Sequence, residues 1–347
     1  MGMRQGLPGL SIYRQPVPYR GSILIIAIWS ICLLATFAVI LSYGIRQKAT
    51  LVSRLDGRSR LRLIAAAGVK RTLIELDRQD VYDTLNSAWS DNVAAFREVP
   101  VDGGTYDVSY TFFNRETSSM EKRYGAVDEE SKININKVKQ PVMRDLFRLS
   151  LGCDIMKAQE LAASIVDWRD KDSFLSIPIG SAEDFDYRGM EYPYDSKDGY
   201  FQVLDELLLV NGVSEDIFRR LQDHITIYGE GKININTASE IVLLSLGLQG
   251  ATVEKIISFR YGADNMLGTE DDGLFIRHAD IVPQLRQFSP LGESEVADLT
   301  RVASQHLCVK SFHFQVRSTA VLADKNDMVE VLCVLDRYGK VLYWREF

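Results

Sequence analysis

Between Gly21 and Ile45 the chain runs 25 residues without one charged side chain, GSILIIAIWSICLLATFAVILSYGI. A helix rises 1.5 Å per residue, so about 20 apolar residues cross a bilayer core. A secretory h-region is shorter, about 7–15 residues, and ends at a small-residue cleavage site. Here the run leads into SYGIRQKATLVSRL instead. It reads as a retained single-pass anchor, a transmembrane helix over 22–45.

The rest of the 347-residue chain has ordinary globular usage, 46% hydrophobic and 25% charged. That excludes a disordered, collagen-like or polytopic membrane protein and allows about two domains. Residues 1–44 contain Arg4, Arg14 and Arg20 and no acid, while the whole chain carries −7. The part beyond the anchor therefore holds the acidic excess. An acidic surface opposes broad phosphate binding and is compatible with cations. Beyond the anchor, Arg46, Lys48, Arg54, Arg58, Arg60 and Arg62 stand against Asp56. A plain count of basic residues would put the large part in the cytoplasm.

From 46 to 98 the pattern predicts a continuation of the anchor helix and then a second helical stretch. Leu51, Leu55, Leu63, Ile64, Val69, Leu73 and Leu76 recur at three- and four-residue steps. Tyr106, Val108, Tyr110 and Phe112 alternate with polar residues, as in a half-buried strand. Phe312, Phe314 and Val316 alternate again, and Asp336-Arg337-Tyr338-Gly339 predicts a turn between two β-rich runs. With largely helical sequence between the strands, the expected class is α+β with a helical insertion.

The insertion contains a repeat. Lys132-Ile133-Asn134-Ile135-Asn136 recurs as Lys232-Ile233-Asn234-Ile235-Asn236. Each copy leads into a short helix ending in Leu-Gly, a turn, and a helix ending with Arg before an acidic stretch, so the unit is duplicated. Asn136, and Asn236 or Thr237, are expected to cap the helix starts. The unit also resembles the helix-hairpin-helix of competence-type DNA receptors, whose Gly-rich turn holds a phosphate. Only the second turn, Leu246-Gly247-Leu248-Gln249-Gly250, is Gly-rich, and acids follow it. No nucleic acid is expected, and a membrane-anchored DNA receptor is the alternative function.

Two acidic clusters are candidate cation sites. YGADNMLGTEDDGLF gathers Asp264, Asp271 and Asp272 with Thr269 and Asn265 among glycines. Calcium takes six to eight oxygens from such groups, though the spacing is not that of an EF-hand. A solvated acidic loop is the other reading. The second cluster is Asp167, Asp170, Asp172, Glu183 and Asp184, with Arg169 and Lys171 as competing ion-pair partners. His224, His278, His306 and His313 form no HExxH, and GxSxG, Walker A and GxGxxG patterns are absent. No enzyme is expected. Cys153, Cys308 and Cys333 could form one disulfide, of open connectivity.

Several ordered motifs resemble the minor pseudopilin K family of type II secretion (the general secretion pathway). They are the Arg20-Gly21-Ser22 junction ahead of the apolar run, VDEESKININ at 127–136 and SIVDWRDKD at 164–172. GSAEDFDY at 180–187, QVLDELLLVNGV at 202–213, GKININTAS at 231–239 and VLYWREF at 341–347 follow. Ile26 stands at the fifth position after Gly21, where most pilin-like chains have Glu and this family lacks it. The resemblance implies a leader at 1–21 removed by a prepilin peptidase between Gly21 and Ser22, and methylation. It implies a pilin-like α/β domain at 46–136 and 309–347, and an inserted helix-hairpin-helix/SAM-like domain at 137–308. It also implies calcium, a periplasmic soluble domain on an inner-membrane anchor, and a place at the pseudopilus tip with minor pseudopilins I and J and other pseudopilins. That location is opposite to the one the flanking arginines indicate.

Overall fold

The computed structural model describes residues 2, 22–77, 81–115, 117–178, 180–323 and 327–347. Gly21 lies outside them, and Ser22 opens the first helix.

Helix α1 (Ser22–Leu76) is unbroken for 55 residues. Its first part keeps large apolar side chains exposed, among them Ile26 at 64% and Trp29 at 72%. Among the described residues this is the one helix long and apolar enough to cross a membrane. Its last part instead buries Leu61, Ile64, Ala65, Val69 and Leu76 against a sheet, a stripe at helical spacing. Gly68 makes the approach close: a Cβ there would lie 2.4 Å from the Ser318 hydroxyl and 3.0 Å from Tyr106 and Val108.

After α1 the chain forms the short helix α2 (Val93–Phe96) and then β1 (Val99–Val101), β2 (Gly104–Val108), β3 (Tyr110–Asn114), β4 (Ser119–Arg123) and β5 (Val127–Asp128). The expected second helical stretch before residue 98 thus shrinks to α2; turns occupy the described residues between 81 and 92. The single strand expected over 106–112 divides at Ser109. β2 joins the main sheet, whereas β3 pairs with β4 in a separate hairpin.

The main sheet is completed from the far end of the chain by β10 (His313–Leu322), β11 (Met328–Asp336) and β12 (Val341–Glu346). The order is β1-β2-β10-β11-β12, with β5 on β10, and every pairing is antiparallel. The expected turn at Asp336–Gly339 joins β11 to β12. Phe314, Val316, Ala320, Val331, Cys333 and Leu335 face the α1 stripe and form one hydrophobic core.

The residues between these two β segments form a second core. The first repeat consists of β6 (Ile133–Asn134), α3 (Gln140–Leu151), α4 (Ile155–Arg169), α5 (Asp184–Arg188), α6 (Glu215–Leu221) and β7 (Ile225–Thr226). The second consists of β8 (Ile233–Asn234), α7 (Glu240–Ser245), α8 (Gly250–Tyr261), α9 (Ile281–Phe288), α10 (Glu293–His306) and β9 (Leu307–Cys308). Each repeat closes on itself by a two-residue parallel pairing, β6 with β7 and β8 with β9. Met143, Phe147, Leu161, Ile165, Leu243 and Ile256 fill the common interior. The hairpin turns pass through Gly152 and Gly247 at φ +62° and +85°, a conformation glycine adopts without penalty.

Neither pentapeptide supplies a helix cap. α3 begins after Lys139 and α7 after Ser239, whose hydroxyl accepts the Val242 N–H. Both helices start too far along the chain for Asn136, Asn236 or Thr237 to reach their free N–H groups.

Candidate functional site

The two repeats position two acidic loops in the same way. In the first, the Asn136 side chain donates to the Phe201 carbonyl at 3.0 Å and accepts the Phe201 N–H at 2.9 Å. In the second, Asn236 does the same with Phe275, at 3.0 and 3.1 Å. The arginines at the ends of α4 and α8 reach back to the pentapeptide or to the residues just after it. Arg169 donates to the Ile135 carbonyl and, at 2.6 Å, to that of Val138; Arg260 donates to the Ala238 carbonyl at 2.6 Å. Each acidic loop therefore runs between a helix end tied to the pentapeptide or the residues just after it and a phenylalanine clamped by the pentapeptide's last asparagine. Arg169 is thus not the ion-pair partner of the first loop's carboxylates that its sequence position allows.

The loop after α8 brings Asp264, Asp271 and Asp272 together, each offering an oxygen within 4.8 Å of the others. Thr269 donates its hydroxyl to Asp271 Oδ1 at 2.8 Å and to Asp272 Oδ1 at 3.3 Å. Backbone N–H groups of Ala263 and Gly268 reach Asp271 at 2.5 Å and Asp272 at 2.7 Å. The Thr269 hydroxyl, then the Ala263 amide, hold the Asp271 carboxyl below its usual value. Asn265 takes φ +60° and turns the loop. Asn86, which no sequence pattern singles out, donates its amide to Asp272 Oδ2.

The other loop gathers Glu183, Asp184 and Asp198 within the same 4.8 Å. Asp198 was not among the sequence candidates; its only sequence signal is the Asp-Gly step that follows Lys197, where φ is +52°. Ser196 Oγ sits between Asp184 Oδ1 and Asp198 Oδ1 at 2.8 and 2.9 Å. Asp167, Asp170 and Asp172 do not join this trio. Asp172 caps a local turn by accepting the Phe174 N–H at 3.0 Å. Asp167 and Asp170 act on Glu183 through their charge: burial first, then these two carboxylates, push Glu183 up to about 7. Burial, then Asp172 and Asp167, push Asp170 up to about 6.

Donor accounting separates the two loops. In the loop after α8 the described contacts give every carboxylate an N–H or O–H partner: Asp264 accepts the Met266 N–H at 2.9 Å. In the loop after α4, Glu183 Oε1 and, beside the trio, Asp167 Oδ2 and Asp170 Oδ1 are buried without a hydrogen-bond partner. Buried polar atoms are normally satisfied, and neighbouring carboxylates resist joint ionisation unless a cation lies among them. Both clusters offer hard oxygens only, which fits calcium, and the one that follows α4 has the greater need of it.

The histidines do not gather. His278 Nε2 lies 2.7 Å from the Ala303 carbonyl and His313 Nδ1 2.7 Å from Glu130. Cys32, Cys153, Cys308 and Cys333 are free thiols, and burial pushes Cys333 up to about 12.

Comparison with known proteins joins this geometry to a family. Residues 124–230 match the family described as "Type II secretion system (T2SS), protein K". A type II secretion system protein K of Pectobacterium carotovorum subsp. carotovorum is 33% identical over 150 residues, 41% of this chain and 42% of that protein. One from Aeromonas hydrophila is 36% identical over 104 residues, 28% of this chain and 31% of that protein. The matched stretch is thus less than half the length of either relative. A chain of the GspK-GspI-GspJ complex from the enterotoxigenic Escherichia coli type 2 secretion system has the same fold. Its TM-score is 0.57 at 16% identity, over 87% of this chain and 98% of that one. The likeness to the type II secretion system protein K family is thus carried in sequence by residues 124–230 and in fold by most of the chain.

Proposed function

We propose that the chain is a minor pseudopilin that starts or caps the type II secretion pseudopilus, together with pseudopilins I and J. The carrying observation is α1: a helix with an uncharged, exposed first part and a last part that packs on an antiparallel sheet. Such a helix can leave a bilayer and join a bundle of like helices without refolding its sheet. In this reading a prepilin peptidase cuts after Gly21, the soluble part lies in the periplasm, and the domain boundaries fall near 136 and 309. The GspK-GspI-GspJ assembly of the structural neighbour supports the choice of partners.

Ile26 supports the terminal position. A Glu at that place in a helical filament needs a cationic partner in the next subunit, because a buried unpaired charge is costly. A subunit with none above it has no use for the charge. Replacing Ile26 by Glu is expected to leave tip assembly unchanged or weaker; improved incorporation along the shaft would remove the argument.

Calcium belongs to the same reading. Asp264, Asp271, Asp272 and Thr269 would hold one ion, and Glu183, Asp184 and Asp198, beside Asp167 and Asp170, a second. The ion would neutralise repelling carboxylates and fix the loops against Phe275 and Phe201. The deciding experiment is co-purification of the full chain with pseudopilins I and J, in calcium and in chelator. A stoichiometric complex in calcium supports the reading, and its absence there overturns it. The acidic loops and the family match favour this reading over the DNA-receptor alternative.

A further inference from the structure

Asp128, Glu129 and Glu130 are consecutive and all buried, at 2%, 3% and 7% exposure. Each holds a different part of the molecule. Glu129 accepts the Lys132 ammonium at 2.6 Å and the Thr226 hydroxyl, fastening the first repeat. Glu130 accepts the N–H groups of Phe312 and His313 at 3.2 and 3.0 Å, and its Oε1 meets the His313 ring, at the start of β10.

Asp128 holds the second repeat. Its Oδ2 accepts the Asn234 amide at 3.1 Å, the Ser311 hydroxyl at 2.7 Å and the Thr237 hydroxyl. Its Oδ1 accepts the Glu130 N–H at 2.8 Å. Asn234 also donates to the Asp83 carbonyl at 3.1 Å and to Ser311 Oγ at 2.8 Å. Four segments meet here: β5 of the sheet, β8 of the second repeat, the link from β9 to β10, and the chain after α1.

The charges at this joint are unequal. Glu129 has Lys132, Glu130 has His313, and Asp83 has Arg337. Among the described residues Asp128 has no cation bonded to it. The other ionisable groups nearby are Cys308 on β9 and Lys310 in the link. The donors around Asp128 favour its charged form, whereas full enclosure, acids on two sides and the lack of a bonded cation favour the neutral one, and enclosure is the largest of these effects. As an acid it can donate one proton and accept others, and the Thr237 and Ser311 hydroxyls can turn to match.

We propose that Asp128 is a protonated latch: as the neutral acid it fastens the second repeat to the sheet, and on losing its proton it loosens the joint at Asn234, Thr237 and Ser311. Burial, reinforced by Glu130 and Asp83 and opposed by Thr237 and Ser311, pushes its pKa up to about 8. The closed joint therefore binds one proton more than an open one across the range from the ordinary 3.8 to about 8. The closed form is favoured fully at acid pH and loses its advantage as pH rises through that window.

Amide hydrogen exchange of the full chain in detergent micelles tests this. The reporters are Ile235, bonded to the Cys308 carbonyl, and Asp83, bonded to that of Val309; Ile135 in the first repeat is the reference. After correction for the intrinsic rate, local opening at the reporters should rise about tenfold per pH unit up to about 8 and then level off. Asp128→Asn should fold and give a flat profile. Glu130→Gln removes a repelling charge, so the levelling-off should move to lower pH. A flat profile in the unsubstituted chain, a slope retained in D128N, or an unmoved profile in E130Q each overturns the proposal; E130Q decides alone if D128N does not fold.

Discussion

Asn236 and Phe275 exchange two hydrogen bonds, side-chain amide against main chain, across 39 residues of sequence. Asn136 and Phe201 make the same exchange in the first repeat, across 65 residues. All four residues are buried. Each asparagine thus closes a long acidic loop with a pair of bonds shielded from water. Alanine at either position would leave a buried N–H and a buried C=O unpaired, each costing about 1–3 kcal/mol. N136A and N236A are each expected to lose about 2–4 kcal/mol in denaturant unfolding of the full chain in micelles. A loss below about 0.5 kcal/mol, the usual size for surface changes, would show that the clamps are not structural.

The pentapeptide repeat is plain in the sequence, and so are the helix-turn-helix order that follows it and the β-rich runs after residue 311. These rest on local periodicity and on turn residues such as Gly152, Gly247 and Gly339, which leave direct marks in a sequence. The role of the asparagines was not legible as a clamp. Capping is a local contact that spacing can anticipate, whereas Phe201 and Phe275 are brought to Asn136 and Asn236 by chain closure. Asn86 escaped for the same reason, entering an acidic cluster from a distant stretch of chain. Asp198 lies in the same loop as Asp184 but outside its acidic run, and only the fold of that loop brings the two together. The split at Ser109 was hidden because the alternation of 106–112 continues through it. Only the competition of β10 and β4 for the two halves divides the strand.

Gly68 tests the contact between α1 and the sheet. Alanine favours a helix over glycine by about 1 kcal/mol. Against that, its methyl would meet Ser318 Oγ at 2.4 Å and touch Tyr106 and Val108 at 3.0 Å. Overpacking of this kind typically costs about 1–3 kcal/mol, so G68A should be net destabilising by up to about 2 kcal/mol. Ser318 Oγ is buried without a partner, so removing it loses no hydrogen bond. Adding S318A should restore part of the loss. Thermal melts of the single and double variants check both statements; additive losses would place the strain elsewhere.

His313 provides a pH test separate from that of Asp128. Burial alone would lower its pKa, but the Glu130 hydrogen bond and charge, with Asp336 and Glu129, outweigh burial and raise it. A histidine with a raised pKa stabilises fully below its unfolded value near 6.5 and loses that contribution as pH rises through the folded value. H313A should therefore cost more at pH 5.5 than at pH 9, measured by urea denaturation at the two pH values. An equal cost at both would mean that the pair is not charged in the fold.

The two acidic loops differ in what they would lose without an ion. In the loop holding Asp271 and Asp272, protein N–H and O–H groups already approach the carboxylates. In the other, Asp167, Asp170 and Glu183 each keep a buried oxygen without a donor, so an ion there would relieve both repulsion and lost hydration. Calcium at about 100 times its dissociation constant stabilises a folded chain by about 2.7 kcal/mol per site. Chelation should therefore lower the melting temperature, and Asp198→Asn should remove more of that shift than Asp272→Asn. Calorimetric titration is expected to show the D198N chain binding its tighter calcium at least about tenfold more weakly, equivalent to about 1.4 kcal/mol. A larger loss in D272N would reverse the order of the sites, and a melting temperature indifferent to both calcium and chelator would remove the cation from either loop.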